Sequence, residues 1–179
     1  MALDHVYTGA NGTLLLDQDP TKSKPDGADA KKILDAYTIA SGTPLGRVTG
    51  VEIHVNTHLQ GYYEIGARHP VSLHPENIYI SGKVNRAYIN GALIFLLLGQ
   101  GVNPTAKKEP YPQPSLLMNV VLNDTSQPDS HSVISLTGVK FENWAFSIPE
   151  DDFVMENVTF KALAISVQDL DPKLKDIFA

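Results

Sequence analysis

From Val48 to Thr57 apolar and polar side chains alternate, with Val51, Ile53 and Val55 on one face and Glu52, His54 and Asn56 on the other. This two-residue period predicts a half-buried strand. Ile78 to Ile89 continues the pattern, with Gly82 marking a bulge or a close approach of another backbone. Three further strands are predicted at Leu116–Leu122, Ser132–Ile148 and Phe153–Gln168, separated by polar breaks at 123–130 and 149–152. In the last of these, Leu163, Ile165 and Val167 share one face while Val158, Phe160, Ala162 and Ala164 share the other. Apolar groups on both faces suit a strand covered on both sides or at a subunit contact.

One short helix is predicted at Ala92–Leu98, with Asn90 available to cap its start and Gly99 to take a positive φ at its end. It would span only about 10 Å, far less than a bilayer requires. Lys31 to Ala40 is ambiguous: Ala30, Ile33, Leu34 and Tyr37 fit a helical stripe, whereas Tyr37, Thr38 and Ile39 favour a strand. Gly9-Ala10-Asn11-Gly12 reads as a tight turn whose flanks pair as a hairpin. Residues 17–29 are almost devoid of apolar side chains and read as a long exposed loop. Pro104, Pro110, Pro112 and Pro114 make 103–114 a stiff surface connection that no sheet interior accepts. The expectation is a single domain over 1–179, mainly β: an antiparallel sandwich or barrel with one short helix and a long exposed loop.

Composition narrows the function. The 179 residues are 42% hydrophobic and 19% charged, with a net charge of −6 and no cysteine. Disulfides and thiolate metal sites are excluded. The acidic balance argues against gripping nucleic acid, which needs clustered Lys and Arg to displace counterions. The low charged share leaves surface for burial by other copies. Met1–Val6 lacks the cationic start and apolar run of a signal peptide.

Candidate chemistry is sparse. His54, His58, His69 and His74 with Glu64 invite a zinc reading, but no ligand spacing supports it and no metal is assigned. Glu150-Asp151-Asp152 reads as a charged turn that discourages edge pairing, ahead of any acid–base pair. No nucleophile elbow or phosphate loop is present, so neither a catalytic residue nor a cofactor is expected. A metal-dependent jelly-roll enzyme using His54, His58 and Glu64, and a sugar- or peptide-binding β-sandwich with Trp144, Tyr62 and Tyr63 as platform, stand as rival classes.

Two stretches resemble the tail tube, or tail core, proteins of contractile-tailed bacteriophages. One begins Gly50-Val51-Glu52-Ile53-His54-Val55-Asn56-Thr57 and continues through Tyr63-Glu64-Ile65-Gly66, Arg68-His69-Pro70-Val71-Ser72-Leu73, Ile80-Ser81-Gly82-Lys83-Val84 and Ala87-Tyr88-Ile89-Asn90-Gly91-Ala92. The other runs from Phe141 to Glu156 and on through Val158-Thr159-Phe160-Lys161-Ala162-Leu163. The resemblance implies a non-enzymatic virion protein: six protomers closing into a ring, and rings stacking into a hollow tube that double-stranded DNA transits without specific binding. It implies sheath, baseplate, terminator and tape-measure partners, no membrane, and assembly in the host cytoplasm. The tube of a bacteriocin or secretion device, or a baseplate tube initiator, would share the fold. Under this reading Asp17, Lys22, Lys24, Trp144, Phe146, Glu150, Asp151 and Asp152 are candidate inter-subunit contacts. Glu52 is the candidate lumen-facing side chain of an acidic, DNA-repelling wall.

Overall fold

The computed structural model describes residues 7–20, 26–37, 45–88, 90–102, 112–123 and 131–169. Seven strands and two helices follow in the order β1 (Gly12–Gln18), α1 (Asp26–Ala36), β2 (Val48–Tyr62), β3 (Ser72–Ala87), α2 (Ala92–Leu98), β4 (Leu116–Asn123), β5 (His131–Ser147), β6 (Met155–Ala162) and β7 (Ala164–Asp169). All pairings are antiparallel, in the spatial order β1-β4-β5-β6-β3-β2, with β7 also on β5.

The sheet divides at β5. Residues 131–139 lie between β4 and β7, whereas 140–147 pair with β6. The change of partner falls at Gly138, whose φ of 65° is accessible to glycine at little cost. A Cβ there would sit 2.5 Å from the Leu163 side chain. Leu163 N donates to Thr137 O at 3.0 Å as the chain passes from β6 to β7. The predicted strand 153–168 is therefore two strands in two half-sheets. Leu163, at the corner, is largely exposed.

The half-sheets enclose one core. Leu14 and Leu16 of β1, Met118 of β4, Leu136 of β5, Val84 of β3, and Val158 and Phe160 of β6 all face it, and Leu93 and Leu96 of α2 close it. The helical stripe prevailed over β-propensity at 30–37, because Ala30 and Leu34 enter this core while the Tyr37 ring packs 5.7 Å from that of Phe95. Helix α2 spans the predicted residues, with Asn90 Oδ1 accepting from Ala92 N at 3.2 Å and Gly99 at φ 58°.

The loop expected over 17–29 is shorter than predicted. Gln18 still belongs to β1, helix α1 begins at Asp26, and Asp19 is fully buried, its carboxylate accepting from Ser115 Oγ at 3.2 Å. Gly9–Asn11 forms a 3-10 turn, and β1 pairs with β4 instead of with its own flank. The stretch 103–111, with Pro104 and Pro110, lies outside the described residues, as do Lys22 and Lys24. Pro114 is buried beside Gly99.

Gly82 is a close approach, as its place in the pattern predicts. A Cβ would overlap both the Glu52 carbonyl oxygen and the Phe160 ring. Gly82→Ala is expected to lower unfolding free energy in urea by about 1–3 kcal/mol through overpacking. Gly9→Ala, which meets nothing within 4 Å, should stay within about 0.5 kcal/mol.

Candidate assembly surfaces

Among the described residues the half-sheet β5-β6-β3-β2 has two edges with no strand partner: β2, paired with β3 alone, and the 140–147 part of β5, paired with β6 alone, its Phe141 carbonyl accepting from Gln113 Nε2. Each edge presents a row of backbone donors and acceptors, a template for another strand. Beside the β5 edge a cleft of about 620 Å³ opens between Leu97 and Leu98 of α2 and Lys140 and Phe141 of β5.

One face of this half-sheet buries the core, and the other is polar. Register places Glu52 opposite Lys83, His54 opposite Ser81, and Lys83 opposite Thr159, and then Asn157 opposite Ala145. Lys161 Nζ donates to Glu142 Oε1 at 2.7 Å on the same face. Glu52 is thus exposed on this face, but the face is not acidic: Lys83, Lys140 and Lys161 accompany Glu52 and Glu142. The net charge of −6 does not reside there.

The two ends of this half-sheet differ. Past Ile80, the last β3 residue paired with β6, β2 and β3 continue alone as a two-stranded arm. It adds about 23 Å at ~3.3 Å per residue. Its tip is set by Gly66, at φ 88°, within a turn closed by Ala67 N donating to Glu64 O. Leu59, Tyr62, Tyr63, Val71, Leu73 and Ile78 are more than half exposed along it. A lone ribbon is marginal in water, and exposed apolar area on this scale marks an interaction surface.

The opposite end is built on a buried ion pair. Arg86 Nε of β3 donates to Glu156 Oε1 of β6 at 2.5 Å, with side chains 1% and 0% exposed. Arg86 also reaches the Asn90 carbonyl at 3.1 Å and the Asn90 side chain at 3.2 Å, while Trp144 Nε1 donates to the other Glu156 oxygen at 2.9 Å. Among the described residues no buried side-chain nitrogen or oxygen lacks a partner. Trp144, held this way, stacks on Phe146 at 5.5 Å, and Phe146 meets Tyr88 edge-on at 4.9 Å. Beyond them the 148–154 turn exposes Ile148, Phe153 and the run Glu150-Asp151-Asp152.

The sequence-predicted residues are therefore scattered. Trp144 and Phe146 join the aromatic end and Glu150, Asp151 and Asp152 cap it, whereas Asp17 lies far along the chain on β1, the outer strand of the other half-sheet. His54 is 3.9 Å from Glu52 on the polar face, while on the arm His58 is 3.7 Å from Glu76 and His74 Nε2 is hydrogen-bonded to Ser72 Oγ. Among the described residues no three His, Asp or Glu side chains converge as metal ligands. Tyr62 and Tyr63 are at the tip, away from Trp144, so they share no platform.

Sequence reasoning missed Arg86 and Glu156. Parity held the signal: Arg86 continues the inward set Gly82, Val84, and Glu156 the inward set Val158, Phe160, so opposite charges occupy core-facing positions on neighbouring strands. The arm was missed too, because Pro70, Gly61 and Pro75 disguise its strands. Pro75 is tolerated because β3 has no β6 partner there and the register slips beside it.

Comparison by sequence finds no matching protein family and no matching curated protein. Comparison by structure finds chains of contractile injection systems and of a phage tail tube. A chain of the sheath–tube complex of the PVC extracellular contractile injection system, in its extended state, aligns over 94% of this chain and 95% of its own at a TM-score of 0.61 and 7% identity. A chain of the six-fold symmetrised baseplate of the anti-feeding prophage aligns over 96% and 99% (TM-score 0.56, 11% identity). The SPP1 tail tube aligns over 96% and 84% (TM-score 0.56, 9% identity). The chain has the tail-tube fold, a curled antiparallel half-barrel carrying two helices.

Removing the charge of Glu156 strands Arg86 in the core. Glu156→Gln is expected to lower unfolding free energy by about 3–5 kcal/mol. Glu142→Gln, at the Lys161–Glu142 pair whose side chains are 67% and 47% exposed, should cost about 0–1 kcal/mol in the same denaturation series.

Proposed function

We propose that this chain is a ring subunit of the inner tube of a contractile phage tail, a structural protein and not a catalyst. The observation that carries the reading is the half-sheet with two open edges and one polar face. The β2 edge of one copy pairs with the 140–147 edge of the next, a head-to-tail contact that closes into a ring when the rotation permits. The polar face lines the lumen, because the second half-sheet and the helices lie on the core side and a closed barrel has more room outside than inside.

Six copies would contribute 24 strands. At about 4.8 Å between strands and a tilt of about 40°, the barrel measures roughly 150 Å around and roughly 50 Å across at the backbone, wide enough for a DNA duplex. Asn143, Asn157, Thr159 and Ser81 present hydroxyls and amides to the lumen, and the Lys and Glu charges largely offset one another. Such a wall lets DNA pass by offering no concentrated basic patch. Sheath, baseplate, terminator and tape-measure proteins are the partners on this reading, with assembly in the host cytoplasm and residence in the virion.

A tail-derived injection device is the second reading, favoured by the likeness to the PVC and anti-feeding prophage chains. Purified particles carrying packaged DNA support the phage reading; tail-like particles without a capsid support the device.

Because the chain has no cysteine, a single Asn157→Cys substitution reports the lumen cleanly. Concentrated protein should form six-fold rings or hollow tubes by electron microscopy. In them the introduced thiol should react with a small maleimide but resist a large polyethylene-glycol maleimide that modifies the monomer readily. A persistent monomer at all concentrations, or equal labelling by the large reagent before and after assembly, would overturn the reading.

A further inference from the structure

Two open strand edges can pair in several registers, and a slip along the strand changes every contact. We infer that one register is built into this chain: Ala145 of β5 lies opposite His54 on β2 of the next copy, and Gln113 stops the pairing at Asn143. The inference rests on the ring reading above. Four strands of alternating direction make the contact antiparallel, so Ser147 then lies opposite Glu52 and Asn143 opposite Asn56.

Three observations select this register. First, both edges are regular only over short lengths. The β2 ladder is irregular between Val48 and Gly50 and between Thr57 and Leu59, and β5 bulges between Phe141 and Asn143. Gly50–Thr57 and Asn143–Ser147 remain. A shift by one residue turns side chains to the wrong face. Among the shifts that keep the polar face continuous, only Ala145 opposite Glu52 or opposite His54 avoids an irregular step.

Second, the ring must close. Within the protomer the row from Ala145 runs through Asn157 and Asn85 to Gly50. Placing His54 of the next copy on that row offsets each copy by four residues over four strands. At ~3.3 Å per residue and ~4.8 Å between strands this is a tilt of about 35°, usual for a barrel, whereas Glu52 gives about 19°. Third, the core-side residues match. The His54 register brings Val55, 48% exposed, opposite Trp144, and Ile53 opposite Phe146, which is 38% exposed. Such pairs of aromatic and β-branched side chains are favourable across strands. The Glu52 register carries Val55 to the bulge instead.

The stop is Pro112-Gln113-Pro114, which precedes β4, where Leu116 pairs with Val139. Proline has no N–H with which to continue that ladder. The Gln113 side chain supplies the donor, Nε2 donating to Phe141 O. Both prolines lie against Gly99, at 3.0 and 3.1 Å from where its Cβ would stand. The acceptor needed for longer pairing is thereby taken, just where β2 of the next copy reaches its own irregularity after Thr57.

Disulfide formation tests this, because the chain has no cysteine. Directly opposite Cβ atoms lie near disulfide distance and diagonal ones do not. Rings of the full chain carrying Ala145→Cys with His54→Cys, once oxidised, should give a ladder of covalent oligomers. The ladder should form about tenfold faster than with Glu52→Cys or Asn56→Cys in place of His54→Cys. Ser147→Cys with Glu52→Cys should link as readily and reports the same register from other sites. These sites are exposed, and circular dichroism of each variant should match that of the parent. Gln113→Met keeps the side-chain length and removes the donor, so it should raise linking of Ala145→Cys through Asn56→Cys about fivefold, the effect of one hydrogen bond. Linking of Ala145→Cys that is fastest through Glu52 or Asn56, or equal through all three, would overturn the inference. So would rings that Ser147→Cys with Glu52→Cys fails to link, or no response to Gln113→Met. Absence of rings from the unsubstituted chain would instead overturn the ring reading itself.

Discussion

The Arg86–Glu156 ion pair, sealed from water between β3 and β6, holds together one end of the half-sheet on which the rest of the fold is arranged. Burying two charges is costly, and the interior returns that cost only when every donor and acceptor is met. Here Glu156 divides its two oxygens between Arg86 and Trp144, and Arg86 directs its remaining donors to Asn90 and, at 3.5 Å, the Leu45 carbonyl. One constraint thereby fixes the β3–β6 register at its last pairs, holds Asn90 at the start of α2, and anchors Trp144 of the Trp144–Phe146–Tyr88 cluster. A purely apolar cluster would pack as tightly but would not single out one register, since apolar contact has no direction.

A second constraint follows from β5, whose length serves two half-sheets. Its first part is bonded on both sides and its second on one. The free edge therefore arises where the strand leaves its β4 and β7 neighbours at Gly138, and not from any special sequence along 140–147. The same corner ends β6 and starts β7. The two-sided pairing of its first part and the open edge of its second are thus two consequences of one bend.

The arm is the counterpart of that rigidity. It contributes nothing to the core, carries large side chains in water and depends on its own ladder, the features of an interaction surface. The structural likeness to chains of tail assemblies, at 7–11% identity, carries the fold and no residue roles.

Alternation and capping are local, so the sequence by itself determined where the centre of β2, the strand β4 and helix α2 lie, and that Gly82 is approached closely. It also determined the mainly antiparallel β class. Tertiary structure alone decided four matters. It broke 153–168 at Leu163, because the crossing over Gly138 is a contact between segments about 25 residues apart. It buried Asp19 against Ser115, although the surrounding composition is that of a loop. It drew Arg86 and Glu156 together across 70 residues, and it left β2 and half of β5 as edges. Each is a pairing between distant segments, and side-chain periodicity carries no information about which distant strand comes to lie alongside.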